Sequence, residues 1–339
     1  MKLLSNILLK LKDSNAQILD THNPEQTPHT FMNIREKYAA VLMLNAYGQG
    51  SPIYSQYPVY FERECGVTNP QAFHKSLIKN GYLTPASYKD MFSNFKIAEL
   101  KHILDDFNLK KSGKKDDLIE RIINEIAEEK LTNYVPKEPC YSLSVKGNDF
   151  LNCYLDYVEL HKNSTWMVSI EEYEAVKNKR LSNDFYDNML FFYKDKLKKS
   201  HSYELRMCYH CLSQIYNHKQ DFESSLFYLL SVLYWDVNDK ENYPSTQMYD
   251  LGIMSKKEIK KQYPVSLFSP GIISSIAKLQ NYYSDEMVDK IYQINLTKKN
   301  LCDKKVFEEI IFDIFNAAFF PSEKWNAYLG KIYFKSINW

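Results

Sequence analysis

Residues 108–122 read NLKKSGKKDDLIERI, in which Lys110, Lys111, Lys114 and Lys115 flank Ser112 and Gly113. Lysines alone would describe a solvated turn. A Ser-Gly pair followed by Asp116 and Asp117, however, suits the start of a helix, so these lysines crowd a helix N-terminus. There, unpaired backbone N–H groups and the positive end of the helix dipole already favour an anion such as phosphate. Gly113 has no side chain to hold a backbone away from an approaching strand. The chemistry on offer is phosphate binding.

Two other groupings could carry chemistry. Cys208 and Cys211 form the only Cys-x-x-Cys, which would serve as a redox pair or as half of a zinc site with His201, His210 or His218. A redox pair needs a strand before it and a helix starting at the first cysteine, and zinc needs a second pair of ligands. The surrounding pattern is helical throughout, and positions three apart on one helix face fit buried packing. The acidic pairs Glu171/Glu172, Asp236/Asp239 and Glu308/Glu309 would have to converge with a lysine to hold a catalytic metal. Glu174 and Lys177, three apart, fit a helix-surface ion pair. With no phosphate-binding glycine loop, nucleophile elbow or His-Glu metal motif, the sequence names no catalytic residue, metal or cofactor.

The elements that must position the lysines are legible. Ile97, Leu100, Ile103 and Leu104 make one apolar stripe, and Leu118, Ile119, Ile122, Ile123 and Ile126 make another, so two amphipathic helices pack on each other. Phe107 and Leu109 plug the end of the pair. Upstream, Asn69 before Pro70 predicts a helix start, and Gly81 a left-handed cap at its end.

The stretch IAELKHILDDFNLKKSGKKDDLIERI resembles a SAP domain, a small helix-loop-helix module, over about 93–131. Ala98, Glu99, Leu100 and Leu104 match its first helix, and Leu109 its connector. Ser112, Gly113, Lys114 and Lys115 match its loop, and Leu118, Ile119, Arg121 and Ile122 its second helix. The resemblance implies binding of double-stranded DNA, often AT-rich, through the loop and the start of the second helix. Lys110, Lys111, Ser112, Gly113, Lys114 and Lys115 would then face phosphates or a groove, with Lys101 and Arg121 as outer contacts. The sequence departs from the family at Lys96, which stands where a threonine or serine cap is usual, so a capping box with Glu99 is incomplete. A short helix ending in LIKNGYL ahead of such a module is similar to the arrangement in some phage and bacterial proteins, which implies a mobile-element origin.

From about 148 onward apolar residues recur three and four apart almost throughout. The stretch YHCLSQIYNHKQDFESSLFYLLSVLYWD resembles one tetratricopeptide-like helix hairpin, with Tyr216 before the turn, Phe222 after it and Ser225 at the crossing; no other unit follows at that period. The expected fold is mainly α: an N-terminal helical segment (1–55), a short helical connector (56–92), the SAP-like module (93–131), a linker (132–147) and an α-helical domain (148–339).

Composition bounds the rest. The chain has 339 residues, 45% hydrophobic and 25% charged, as folded proteins do. A net charge of +1 means that attraction to nucleic acid must come from a local patch. Six sparse cysteines point to a reducing interior. Residues 2–19 read as a basic amphipathic helix, expected to dock on the protein's own core or a sister subunit rather than on a membrane. Lys10, Lys12 and Asp13 interrupt its apolar run before a signal peptide is complete. No uninterrupted apolar stretch approaches 18 residues, so the protein is expected to be cytoplasmic. Its expected partners are duplex DNA and, through the helical domain, a protein or a second copy, with no membrane. The competing reading is a scaffold or inhibitor whose helical domain grips another protein while the module is only structural.

Overall fold

The computed structural model describes residues 33–180, 182, 184–199, 203–239, 252–261, 267–295 and 300–336. The helix expected over 2–19, and His201, lie outside them. Among the described residues the fold is mainly α, with 18 α-helices and one three-stranded sheet.

Helix α1 (Ile34–Tyr47) starts where Asn33 accepts from the Glu36 N–H at 2.9 Å. Its residues from Tyr38 to Leu44 are all buried, so it is apolar all round and lies inside the molecule. After β1 (Ser51–Pro52) and the short α2 (Tyr60–Arg63) comes α3 (Pro70–Lys79). Asn69 caps α3 by accepting from the Ala72 N–H at 2.9 Å. Gly81 follows at φ 76, where a side chain would be strained. The Tyr82 N–H reaches the Leu77 carbonyl at 3.0 Å and the Gly81 N–H reaches that of Ile78 at 2.9 Å, the paired bonds of a Schellman end. Both helix signals read from the sequence are therefore present.

Strand β2 (Leu83–Pro85) leads into α4 (Tyr88–Ser93), α5 (Ile97–Asp106), α6 (Lys115–Glu125) and α7 (Glu128–Leu131). The chain returns through β3 (Cys140–Leu143). Strand order is β1-β3-β2, all antiparallel, with Ser51 opposite Tyr141 and Pro85 also opposite Tyr141 on the other edge. The segment 132–147, expected as a linker, thus holds the central strand. Both ends of the α4–α7 segment enter and leave through neighbouring strands, so the module is an excursion from a sheet. The strands are two to four residues long and the edge strands contain Pro52 and Pro85, tolerated only at an edge; a period-two pattern has no room to show.

Helices α8 (Val145–Cys153), α9 (Leu155–Lys162), α10 (Ile170–Arg180), α11 (Phe185–Leu197) and α12 (Tyr203–His218) follow. Next come α13 (Phe222–Asn238), α14 (Lys256–Lys261), α15 (Pro270–Lys278), α16 (Asp285–Ile294), α17 (Lys304–Asn316) and α18 (Ser322–Ser336). Buried apolar residues fall into three clusters. One joins α1 and α3 to α8–α12, so residues before and after the module share a core. A second is built from α13 and α15–α18. Where α12 and α13 pack, Ser225 donates to the Ser213 carbonyl at 2.9 Å, and both serines are buried. The third cluster belongs to the module alone: Phe92, Leu100, Ile103, Leu104, Leu118, Ile119, Ile122, Ile126 and Leu131.

Candidate nucleic-acid interface

The module's two helices are held by local capping. At α5 the Lys96 N–H donates to Glu99 Oε2 at 2.6 Å. An ammonium cannot accept in return, so only this half of a capping box exists. The far end of α5 turns on Asn108 at φ 55. Bonds from the Leu109 N–H to the Leu104 carbonyl (2.8 Å) and from the Asn108 N–H to that of Asp105 (2.9 Å) close it. Leu109 is thereby folded back against the module's core, which is the plug expected from the sequence.

Helix α6 begins at Lys115, with Lys114 as its cap, two residues later than the Ser112 start suggested by the sequence. The cause is Asp117, whose Oδ2 accepts from the Lys114 N–H at 2.8 Å. Gly113 adopts φ 134, and a Cβ there would stand 3.0 Å from both Cβ and Oδ2 of Asp117. Any side chain at 113 would therefore meet the carboxylate that starts the helix. The first helical bond runs from the Leu118 N–H to the Lys114 carbonyl at 3.2 Å. The N–H groups of Lys115 and Asp116 precede it, at the positive end of the dipole.

The basic residues of the turn divide by role. Arg121 donates from Nη1 to the carbonyls of Lys110 (2.6 Å) and Ser112 (3.1 Å); its side chain is only 18% exposed. It clasps the loop from behind. Lys115 donates to the Ser93 carbonyl at 2.5 Å and is half-buried, tying α6 to the end of α4. Lys111 reaches Asp105 at 2.6 Å, and this hydrogen bond, with the charge behind it, holds the Asp105 carboxyl below its ordinary value. Lys101, Lys110 and Lys114 are exposed and make no ion pair among the described residues. Ser112 and Gly113 are exposed between them. The sequence set the four loop lysines alike toward phosphate and put Lys101 and Arg121 outside them as further contacts. A half-buried arginine turned toward loop carbonyls has no signature in spacing, because its partners are nine and eleven positions away.

Charge is balanced over residues 91–127: Lys96, Lys101, Lys110, Lys111, Lys114, Lys115 and Arg121 face as many carboxylates, at 99, 105, 106, 116, 117, 120 and 125. Attraction for a polyanion must come from how these charges are separated in space.

The other groupings have internal partners. Cys208 and Cys211 are buried cysteines of α12 that form no disulfide, and burial pushes the Cys211 thiol up to about 11, the reverse of a reactive thiolate. Among the described residues no group of three or more His, Cys, Asp or Glu side chains could hold a metal. Glu171 pairs with Arg35 at 2.6 Å, and Asp236 with Arg206. Glu174 and Lys177, expected to pair with each other at the surface, turn to different partners. Tyr157 donates to Glu174 at 2.6 Å, while Lys177 reaches the buried Asp156 at 2.7 Å. The lysine lies against the rings of Tyr154 and Tyr157, which draws its stem inward.

Against known families, residues 91–127 match the SAP domain, in agreement with the resemblance read from the sequence, and the match encloses all of the module's buried core except Leu131. A SAP domain points to nucleic-acid binding. No curated protein and no solved structure matches the chain. No helix among the described residues is long and apolar enough to cross a membrane.

Proposed function

We propose that the chain is a non-enzymatic, cytoplasmic DNA-binding protein that touches duplex DNA, with a preference for AT-rich sequence, through the loop between α5 and α6. The observation that carries this reading is the division of labour around the loop. Arg121, Lys115 and Asp117 fix the backbone, while Lys110 and Lys114, helped by Lys101 and by the partly engaged Lys111, remain free on either side of Ser112 and Gly113. A preorganised turn with mobile cations at a helix start is suited to phosphate contact. The contact area is small and the module's net charge is nil, so affinity will be modest and will fall steeply with salt. The helical body then supplies self-association or a partner surface that brings modules together.

The test is fluorescence-anisotropy binding to a short AT-rich duplex across a salt series, comparing wild type with Lys110→Ala/Lys114→Ala. Loss of affinity, with the salt slope reduced by about one to two units, is the expected result. Equal binding by both proteins, or by neither, returns the turn to a solvated loop.

A second reading, a scaffold that grips a protein through the body, is favoured by the C-terminal end, where Phe319 is 92% and Phe312 64% exposed. It is the outcome to pursue if the loop lysines prove silent.

A further inference from the structure

A second concentration of positive charge lies on the body, in a stretch from which the sequence drew no site. Between 177 and 199 stand Lys177, Lys179, Arg180, Lys194, Lys196, Lys198 and Lys199 against three carboxylates, Asp184, Asp187 and Asp195, in a chain whose net charge is +1. Lys177 is committed inward to Asp156. Asp184 caps α11 by accepting from the Asp187 N–H, and Asp187 pairs with Lys219 of the turn after α12.

The remaining charges are drawn together across two helices. Lys179 Nζ and the Arg180 guanidinium, at the end of α10, each lie 5.2 Å from the ring centre of Phe191 on α11. Further along α11, Lys196 lies 5.7 Å from the Phe192 ring, and Lys194 lies 5.4 Å from Tyr216 of α12. Lys198 and Lys199 are exposed. Asp195 stands among them, hydrogen-bonded to Lys199 at 2.7 Å. Its carboxyl is held below the ordinary range by Lys199 first and then by Lys179 and Lys198, so cations of both helices surround one carboxylate. Dipole complementarity accounts for lysines in the last turn of each helix. It does not ask that the cations of α10 be gathered onto a ring in the second turn of α11.

The chemistry that fits can be narrowed. Aromatic faces already covered by ammonium and guanidinium groups are not open for base stacking, so the rings orient cations. No large apolar side chain is exposed among the described residues from 170 to 199, which leaves nothing to insert into a lipid surface. From Phe191 to Leu197, the end of α11, the face runs about 9 Å along the helix, the length of about three phosphates on one strand at about 3.4 Å each.

We propose that this face of α10 and α11 is a second, sequence-independent contact for the phosphodiester backbone of nucleic acid. Naming the polyanion as nucleic acid rests on the reading of the module; the site itself is separate from it. Two weak contacts on one chain bind a long duplex more tightly than either does alone.

The experiment uses the full chain and a mixed-sequence duplex of roughly 30 base pairs in a salt series. It compares wild type, Lys179→Gln/Arg180→Gln/Lys198→Gln, the charge-keeping Lys179→Arg/Lys198→Arg, and the loop variant Lys110→Ala/Lys114→Ala, each checked for fold by circular dichroism. The expected result is that the glutamine variant loses about two to three units of salt slope and about tenfold or more in affinity near 0.1 M salt, while the arginine variant binds as wild type does. A glutamine variant that binds like wild type beside an impaired loop variant overturns this proposal and leaves the module's role standing. The reverse pattern supports this proposal and removes the loop's role. Capture by phosphatidylserine vesicles that depends on these three cations, with DNA binding unchanged, also overturns it. If the glutamine variant fails to fold, Lys179→Glu and Lys198→Glu tested singly decide the matter by the same slope.

Discussion

The module and the body build their interiors from different materials. The module's core is almost wholly Leu and Ile from one short run of chain, and no buried polar or charged residue lies between 92 and 131. The body's core carries His74, Asp156, Asn188 and Asp236, all buried, together with most of the molecule's packed tyrosines. Apolar stripes can meet in many slightly different ways, whereas a buried polar group is tolerable only where its partners are in place. The module therefore needs only its two stripes and their caps. The body is specified by pairings that cross long stretches of sequence, such as the Leu267 N–H with Asn326 and Trp166 with Gln214.

The largest effect should come from breaking such a pairing. Lys177→Ala leaves Asp156 buried with the Tyr173 hydroxyl, 2.8 Å away, as its one remaining hydrogen-bond partner among the described residues, and should cost about 3–5 kcal/mol of body stability. Urea unfolding followed by tryptophan fluorescence checks this, since Trp166, Trp235 and Trp325 are buried in the body and the module has no tryptophan. A change below about 1 kcal/mol would mean that the ion pair contributes nothing beyond what water supplies. Next in size, Leu118→Ala removes a fully buried side chain from the module's core and should cost about 2–5 kcal/mol there. Hydrogen exchange should show the amides of α5 and α6 losing protection while those of α1 and α13 keep theirs. Loss of protection in both would dissolve the distinction between the two regions.

A smaller effect, confined to the body, concerns pH. His74 is buried, with its Nδ1 2.8 Å from the Tyr57 hydroxyl, and burial lowers its pKa to about 4 from 6.5. The unfolded chain therefore binds the extra proton first. Stability contributed by the neutral ring is fully present above about pH 6.5, falls as pH drops below that value, and levels off below about 4. Between pH 6.5 and 5 the loss should be about 2 kcal/mol. His74→Phe should abolish this part of the slope, and a pH dependence that persists in the variant would assign it to other groups. Exchange protection within the module should not change over the same range.

What could be read from residues alone were features settled within one or two helical turns. The stripes of α5 and α6 set their facing sides, Asn69 and Pro70 mark a helix start, and Gly81 and Leu109 close helix ends through bonds to residues three and five back. Even the loop's chemistry, lysines around a glycine at a helix start, follows from neighbours in sequence. Tertiary structure alone decided which cations are free. Arg121 and Lys115 face inward because carbonyls of the loop and of α4 happen to lie within reach, and Lys177 chose Asp156 over Glu174 because tyrosine rings line that path. The same holds for the sheet, whose strands are too short to carry a pattern and exist because residues 51–52, 83–85 and 140–143 are brought side by side. A hydrogen bond or ion pair gains its energy from proximity and desolvation, and for groups far apart in sequence both are properties of the packed chain, not of the residue types that enter it.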